Sequence, residues 1–300
     1  MSLFARVLVA VPLLLVPSAA LAFGPAAHVD MGLDALAGAA ALVPGLAALL
    51  KAHRDVFLRG TLGPDREVAK NLASYARHSH NWQRAFRQLR AADHDAQRAF
   101  FLGCLCHLAA DVVAHNYFVP VKLVESHRSR FAGHLYWEMR FDARTDRGRR
   151  DCALKSLGID SREHRRFLAT VVPGNLLGPR FNVRVTGLAM RLQRAVAFRK
   201  VGAIVDRESR LLLRDEDGAD VRALAVAAQV EVLVRLERSS LPILDARGAD
   251  ALRTATRLRR QLRDRVRRQG EPNLQAAATA AAFRDRQRAL LVAVIGEAAG

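Results

Sequence analysis

Residues 96–119 read AQRAFFLGCLCHLAADVVAHNYFV, and this stretch decides the fold. Its apolar residues cover nearly every face of a helix, which predicts a central, buried helix. Three polar side chains, His107, Asp111 and His115, interrupt it at i, i+4 and i+8, so they lie along one stripe. Burying a carboxylate and two imidazoles costs free energy unless they are paired. Together they favour a metal site, although a single histidine there would more often be a satisfied core residue.

The composition of the 300-residue chain predicts a mostly helical globular protein. Hydrophobic residues make up 51% and charged residues 25%, which is not a disordered composition. Three cysteines exclude a disulfide-stapled scaffold and a cysteine-rich zinc finger. Alanine, leucine and arginine abound and β-branched runs are sparse. We expect the central helix to end at Pro120, and further helices over 68–90, 125–140, 161–171, 183–205, 220–238, 249–268 and 274–298.

The formal charge of +18 is concentrated in the second half of the chain. Residues 1–140 hold 15 Lys/Arg against 10 Asp/Glu, whereas residues 141–300 hold 32 against 19. Such an excess attracts polyanions, either an anionic membrane or nucleic acid. The arginines are also mixed with acidic residues, so an ordinary solvated helical surface is the other interpretation. Both interpretations apply to the arginine-rich helix expected over Arg253–Arg268.

The first 22 residues have the three parts of a secretory signal peptide. Met1–Arg6 carries one positive charge, and Val7–Ala19 is apolar apart from Pro12, Pro17 and Ser18. Ala20-Leu21-Ala22 then places small residues where a signal peptidase reads. We expect cleavage after Ala22 and export to the periplasm or the cell exterior. An uncleaved anchor is the alternative, although the apolar run is short and contains prolines.

Further candidate metal ligands occur on both sides of the central helix. His134 and Glu138 are four residues apart, so they share one helical face and could bind one ion; an exposed His–Glu pair is the alternative. Asp65 follows Gly63-Pro64, where a rigid turn could aim its carboxylate or where it could cap a helix.

Three more histidines precede the central helix. His78 and His80 follow the Asp65 loop, and His28 lies five residues after the expected new N-terminus at Phe23. Taken alone, His28 would be read as a surface histidine.

These elements together resemble the zinc-dependent phospholipase C family, which shares its all-helical fold with the fungal single-strand nucleases. The resemblance covers residues 23 to about 142 and includes His80-Asn81-Trp82 and Tyr136-Trp137-Glu138. It implies an all-α, multi-helix phospholipase C/nuclease-type fold. The expected organisation is a signal peptide (1–22), a zinc-dependent phospholipase C-like helical domain (23–200) and a basic helical C-terminal extension (201–300).

The resemblance also implies up to three zinc ions. The first would take Asp65, His80 or His78, His107 and Asp111; the second Phe23, His28 and Asp111; the third His115, His134 and Glu138. In this family the mature N-terminal residue binds zinc through main-chain atoms. Phe23 could therefore replace the usual tryptophan. The better-known members have five residues between the bridging aspartate and the next histidine, whereas Asp111 and His115 have three between them. His127 could replace His115 if the register slips.

The implied function is that of a secreted zinc-dependent phosphodiesterase that hydrolyses phospholipid phosphate esters. A metal-activated hydroxide would attack phosphorus, and Asp65 is the candidate for orienting or deprotonating that water. The expected partner is a phospholipid substrate or an anionic membrane surface, and no obligate protein partner is indicated. A single-strand nuclease with the same metal cluster is one alternative. The other is a degenerate metal-binding exported protein, which the altered Asp111–His115 spacing favours. Trp82, Tyr136 and Trp137 could shape a substrate pocket, or they could simply pack.

Overall fold

The computed structural model describes residues 23–66, 78–129, 132–146, 148–149, 151, 209, 211, 213–269 and 274–296. The expected signal peptide and the helices expected over 161–171 and 183–205 lie outside these residues. Within the described ranges every regular element is a helix, so the all-α fold class is confirmed.

The α-helices whose bounds lie in the described residues are numbered in chain order. They are α1 (Pro25–Leu42), α2 (Pro44–Ala52), α3 (Arg54–Gly60), α4 (Trp82–Arg90), α5 (Asp95–Val113), α6 (Val119–Glu125), α7 (His134–Ala143), α8 (Asp215–Arg235), α9 (Ala249–Gln269) and α10 (Leu274–Gly296). Short 3₁₀ helices span Pro64–Arg66, Leu236–Arg238 and Leu241–Ile243.

Helix α5 is the central helix that its apolar sequence predicts. Every residue from Ala99 to Val113 is buried, and the helix packs against α3, α4 and α8. With the segment that follows, as far as Glu125, this helix is long and apolar enough to cross a membrane. However, 94% of its apolar stretch is buried inside the protein. Because the helix is buried on all sides, it is a core helix of this protein.

The expectation that Pro120 ends the central helix was wrong. Residues Ala114–Phe118 form a π turn, in which the Val119 N–H donates to the Ala114 carbonyl five residues back. This turn places Pro120 in the first turn of α6, where a proline has no intrahelical hydrogen bond to lose. The helical run therefore continues to Glu125.

Two other expected helices differ from the sequence prediction at residues that the structure describes. Helix α7 begins at His134, after a turn and Gly133, instead of near residue 125. Within the described residues α4 begins at Trp82, because the Asn81 side chain accepts a hydrogen bond from the Arg84 N–H (2.9 Å) and caps the helix. His78 and His80 therefore lie in the turn before α4.

The C-terminal helices share one hydrophobic core with the N-terminal ones. Helix α8 packs on α1 and α5, and α9 and α10 pack on α6. Phe23, Leu105, Val232 and Leu262 belong to one buried cluster. The domain boundary expected near residue 200 stays a prediction, but the helices on its two sides bury a common core.

Candidate metal centre

Five polar side chains converge in the core, and we call them the inner group: His28, Asp65, His80, His107 and Asp111. They come from α1, the 3₁₀ turn at 64–66, the turn before α4, and α5. At most 6% of any of these side chains is exposed. The structure thus brings together residues that span 84 positions of sequence, which only tertiary packing can do.

Asp111 lies at the centre of the inner group. Its Oδ1 is 3.5 Å from His28 Nε2, and its Oδ2 is 3.1 Å from His80 Nε2 and 3.3 Å from His107 Nε2. Asp65 Oδ1 lies 3.4 Å from His80 Nε2 and 3.9 Å from His107 Nε2. The two Nε2 atoms of His80 and His107 are 3.1 Å apart. These atoms form two overlapping trios, His28–His107–Asp111 and Asp65–His80–His107, with ligand atoms within 4.8 Å of one another.

The hydrogen bonding of the inner group fits a metal site. Both ring nitrogens of His28 and both carboxylate oxygens of Asp111 are buried without a hydrogen bond. Such atoms are costly to bury in a folded protein unless something outside the hydrogen-bond network satisfies them. Imidazole nitrogens and carboxylate oxygens that point at a common space are the donors that a divalent metal takes.

The electrostatics hold two of these groups in their metal-binding forms. Burial, together with neighbouring His107, lowers the pKa of His28 to about 3, so its imidazole is neutral. Burial alone would raise the pKa of Asp111, but His107 and His80 outweigh it and hold that pKa well below its usual range. A neutral imidazole beside an ionised carboxylate is the protonation state that binds a metal.

A close contact between two helices orients His107. Its Nδ1 lies 2.8 Å from the Thr61 carbonyl oxygen, which leaves Nε2 facing Asp111. A Cβ on Gly60 would lie 2.0 Å from the Phe100 carbonyl oxygen, and one on Gly103 would lie 2.2 Å from the Phe57 carbonyl oxygen. The two glycines therefore allow α3 and α5 to approach closely enough for this contact.

The two histidines left open by the sequence occupy different places. His80 lies in the inner group, whereas His78 Nδ1 accepts a hydrogen bond from the backbone N–H of His80 (3.1 Å). The Ser79 hydroxyl contacts His80 Nδ1 at 3.1 Å. Both contacts hold His80 with its Nε2 toward Asp111, so His78 is placed to support the turn.

A second set of side chains, which we call the outer group, consists of His115, His134 and Glu138. Glu138 Oε1 is 2.6 Å from His134 Nε2 and 3.8 Å from His115 Nε2. All three of these atoms are buried, and none makes a hydrogen bond of normal geometry, so this set also fits a metal. His115 lies in the π turn, and π turns occur frequently at functional sites. His127 lies outside this set, with its Nδ1 on the Val124 carbonyl.

Phe23 lies beside the inner group. Its ring is fully buried, packs on Phe141 with centroids 4.5 Å apart, and meets His28 edge-on at 5.9 Å. Asp142 Oδ1 accepts the Ala27 N–H (2.9 Å) at the start of α1. The role of Phe23 as a main-chain ligand depends on cleavage after Ala22, so it stays a prediction.

The aromatic residues singled out from the sequence pack within the protein. Trp82 and Trp137 are buried, and Trp82 stacks on Phe86. The Tyr136 hydroxyl is hydrogen-bonded to the Ser209 hydroxyl. These contacts fit the packing alternative.

Sequence reasoning missed the groups that orient the candidate ligands. Thr61 and Ala246 act through carbonyl oxygens, at 2.8 Å from His107 Nδ1 and 2.6 Å from His115 Nδ1. Every residue carries a carbonyl, so no residue type could have revealed them. Asp142 lies four residues after Glu138, on the same helical face, and this spacing was a signal that could have drawn attention to it.

Comparison with known families agrees with this architecture. Residues 27–172, just under half of the chain, match the family described as zinc dependent phospholipase C, and this match supports the family that the sequence motifs predict. The matched segment contains every member of the inner and outer groups. No curated protein and no solved structure matches the chain. The family is zinc-dependent and the two groups are able to bind metal, so zinc is the ion that the donor set and the family together support.

Proposed function

We propose that this protein is an exported zinc-dependent phosphodiesterase that hydrolyses phospholipid phosphate esters in the manner of a phospholipase C. One observation carries the proposal: buried histidine and carboxylate atoms without hydrogen bonds converge in two adjacent groups. They do so within a segment of the zinc-dependent phospholipase C family.

We propose up to three zinc ions. Two would share the inner group, one held by Asp65, His80, His107 and Asp111, the other by His28, Asp111 and the main chain of Phe23. The outer group of His115, His134 and Glu138 would hold the third. Asp111 is suited to bridging, because its two carboxylate oxygens face different histidines, His28 on one side and His80 with His107 on the other. When bound, zinc lowers the pKa of water and neutralises phosphate charge.

Asp65 is proposed to position and deprotonate the attacking water. Its Oδ1 faces His80 and His107 at 3.4 and 3.9 Å, at the edge of the inner group and not at its centre. A general base must lie within hydrogen-bonding reach of the proton that it removes. From this edge, the carboxylate could accept a proton from a water at the rim of the inner group.

The outer group is proposed to receive the substrate phosphate. The His134 side chain is 28% exposed, whereas the side chains of the inner group are almost fully buried. A phosphate that enters from solvent therefore meets His134 first. Positive charge there would stabilise the additional negative charge of the transition state.

The exposed face of α9 is proposed to contact an anionic phospholipid surface. Five exposed arginines recur along this face at i, i+4, i+7, i+14 and i+15, namely Arg253, Arg257, Arg260, Arg267 and Arg268. The opposite face buries Ala255 and Leu262. Each arginine near an anionic membrane contributes about 1 kcal/mol of attraction. Sedimentation with anionic and neutral vesicles tests this, and equal binding to both would contradict it.

The activity test compares a chromogenic phosphocholine ester with denatured DNA, each with and without a chelator. Chelator-sensitive hydrolysis of the ester is the expected result. Hydrolysis of DNA alone would establish the single-strand nuclease alternative. Zinc binding without hydrolysis of either substrate would establish a metal-binding protein that has lost its activity.

A further inference from the structure

A short backbone segment from the C-terminal half contacts the outer group directly. We call it the 244–248 loop, and it joins the 3₁₀ turn Leu241–Ile243 to α9. Three successive carbonyl oxygens of this loop are hydrogen-bonded to side-chain nitrogens. The Leu244 carbonyl binds Trp82 Nε1 (3.1 Å), the Asp245 carbonyl binds Asn116 Nδ2 (3.0 Å), and the Ala246 carbonyl binds His115 Nδ1 (2.6 Å). All three side chains lie in the family segment 27–172, whereas the loop lies outside it.

The contact with Ala246 fixes the state of His115. A carbonyl oxygen only accepts, so Nδ1 of His115 must carry the proton in this hydrogen bond. In the neutral, metal-binding imidazole the lone pair is then on Nε2, the atom that lies 3.8 Å from Glu138 Oε1. A hydrogen bond of this kind fixes both the tautomer and the ring orientation of a metal-binding histidine.

Asn116 ties the π turn to the same loop. Its Nδ2 donates to the Val112 carbonyl and to the Asp245 carbonyl, both at 3.0 Å. The side chain therefore bridges the end of α5 and the loop, one residue from His115. The Asn116 amide therefore couples the register of the π turn to the position of the loop.

Gly248 lets the loop lie flat against His115. Its φ of +56° is in the left-handed region that favours glycine. A Cβ at Gly248 would lie 2.2 Å from the carbonyl oxygen of His115 and 2.6 Å from the Cβ of His115. A larger residue would therefore be strained and would also push the loop away from the histidine.

We infer that the 244–248 loop is a positioning element for the outer group, so that zinc binding there requires the C-terminal half of the chain. This inference rests on the zinc site of the proposed function, and it assigns a role to residues beyond the family segment. Ala246 orients His115, Asn116 and Trp82 fasten the loop, and Gly248 permits the close contact.

The test compares Gly248→Ala with Gly218→Ala in the full-length, zinc-loaded protein. Gly218 lies in α8, where an added Cβ meets nothing within 4 Å, so it is a matched control. Zinc per chain is measured against graded concentrations of a competing chelator. G248A is expected to weaken one zinc by about 10- to 100-fold and to leave the inner zinc unchanged. G218A is expected to match the wild type.

Two further variants identify the affected ion. Glu138→Gln removes the carboxylate of the outer group, so G248A added to it should cause no further zinc loss; additive losses would contradict the inference. Trp82→Phe removes only the indole N–H contact with Leu244 and keeps an aromatic ring. It is expected to weaken the same zinc by several-fold, and it replaces G248A as the test if circular dichroism shows that G248A is unfolded.

The inference is overturned if folded variants keep the wild-type chelator profile, or if inner and outer zinc are lost equally. The measurement needs no substrate, so it is independent of the proposed reaction. A wild-type protein that binds zinc but hydrolyses neither substrate would overturn the reaction alone. A wild-type protein that binds no zinc would overturn both.

Discussion

The inner and outer groups use similar donors but are built in different ways. The inner group draws all its residues from positions 28–111, and its His107 is oriented by a carbonyl 46 residues away. The outer group has a more exposed histidine, and its His115 is oriented by a carbonyl 131 residues away. The inner group depends on close packing of neighbouring helices, whereas the outer group depends on a loop from the far end of the chain. The two groups should therefore respond to different mutations.

The largest effect is expected from Asp111→Asn. Asparagine is neutral and cannot place two anionic oxygens between the histidines, so the inner group should lose its zinc. Hydrolysis of the phosphocholine ester should fall by a factor on the order of 1,000 or more. Zinc per chain and initial rates are measured beside Asp250→Asn, a change at an exposed carboxylate on α9. A fully loaded and fully active D111N protein would refute the assignment.

A smaller, selective effect is expected from Glu138→Gln. This residue belongs only to the outer group, so about one zinc per chain should be lost while the inner group stays loaded. The rate should fall by roughly 100-fold, since a stabilising charge is lost but the inner group remains. Elemental analysis and rate measurements on the same preparation check this. Loss of all zinc would show that the two groups are not independent.

The packing that underlies the inner group is tested by Gly103→Ala. A Cβ at this position would lie 2.2 Å from the Phe57 carbonyl oxygen, which must move because backbone cannot rotate away. We expect a destabilisation of about 3 kcal/mol and weaker inner zinc, because the Thr61 carbonyl would move away from His107. Thermal unfolding and chelator competition measure both effects. Gly45→Ala is the control, since a Cβ there meets nothing within 4 Å.

The smallest effect is expected at the ion pair that joins the two halves of the chain. Lys122 in α6 donates to Asp217 in α8 (2.9 Å), and Arg214 donates to the same carboxylate (2.9 Å). Burial opposes ionisation of Asp217, but these hydrogen bonds outweigh it and lower its pKa from 3.8 to about 2. Because the group is partly exposed, Asp217→Asn should cost only about 1 kcal/mol.

The pH dependence of this pair follows from the direction of the shift. A depressed pKa contributes its full stabilisation above 3.8, and the contribution is lost as the pH falls toward 2. The difference in melting temperature between wild type and D217N should be constant from pH 7 to 5 and shrink below pH 4. Asp285→Asn, at an exposed carboxylate on α10, should show no such trend. A difference that grows on acidification would contradict this assignment.

Much of the fold could be predicted because helix patterns are local. The apolar run around His107 and Asp111 predicts the buried helix, and α9 and α10 begin at the residues that the sequence predicts. Pro120 misled the prediction, because a preceding π turn is a local rearrangement without a clear residue signal. The sequence also could not separate His78 from His80, since both lie in one turn and only packing decides which ring faces Asp111.

The sequence by itself determined the helical class and pointed to the family that residues 27–172 match. It also supplied the histidines and carboxylates that the structure gathers, apart from Phe23 and His78, into two groups. Residue type and helical spacing carry this information, because side-chain chemistry and periodicity are written in the chain. Tertiary structure alone decided which carbonyl orients which imidazole. The Thr61 and Ala246 carbonyls are chemically identical to every other carbonyl, and only the folded chain brings them to His107 and His115.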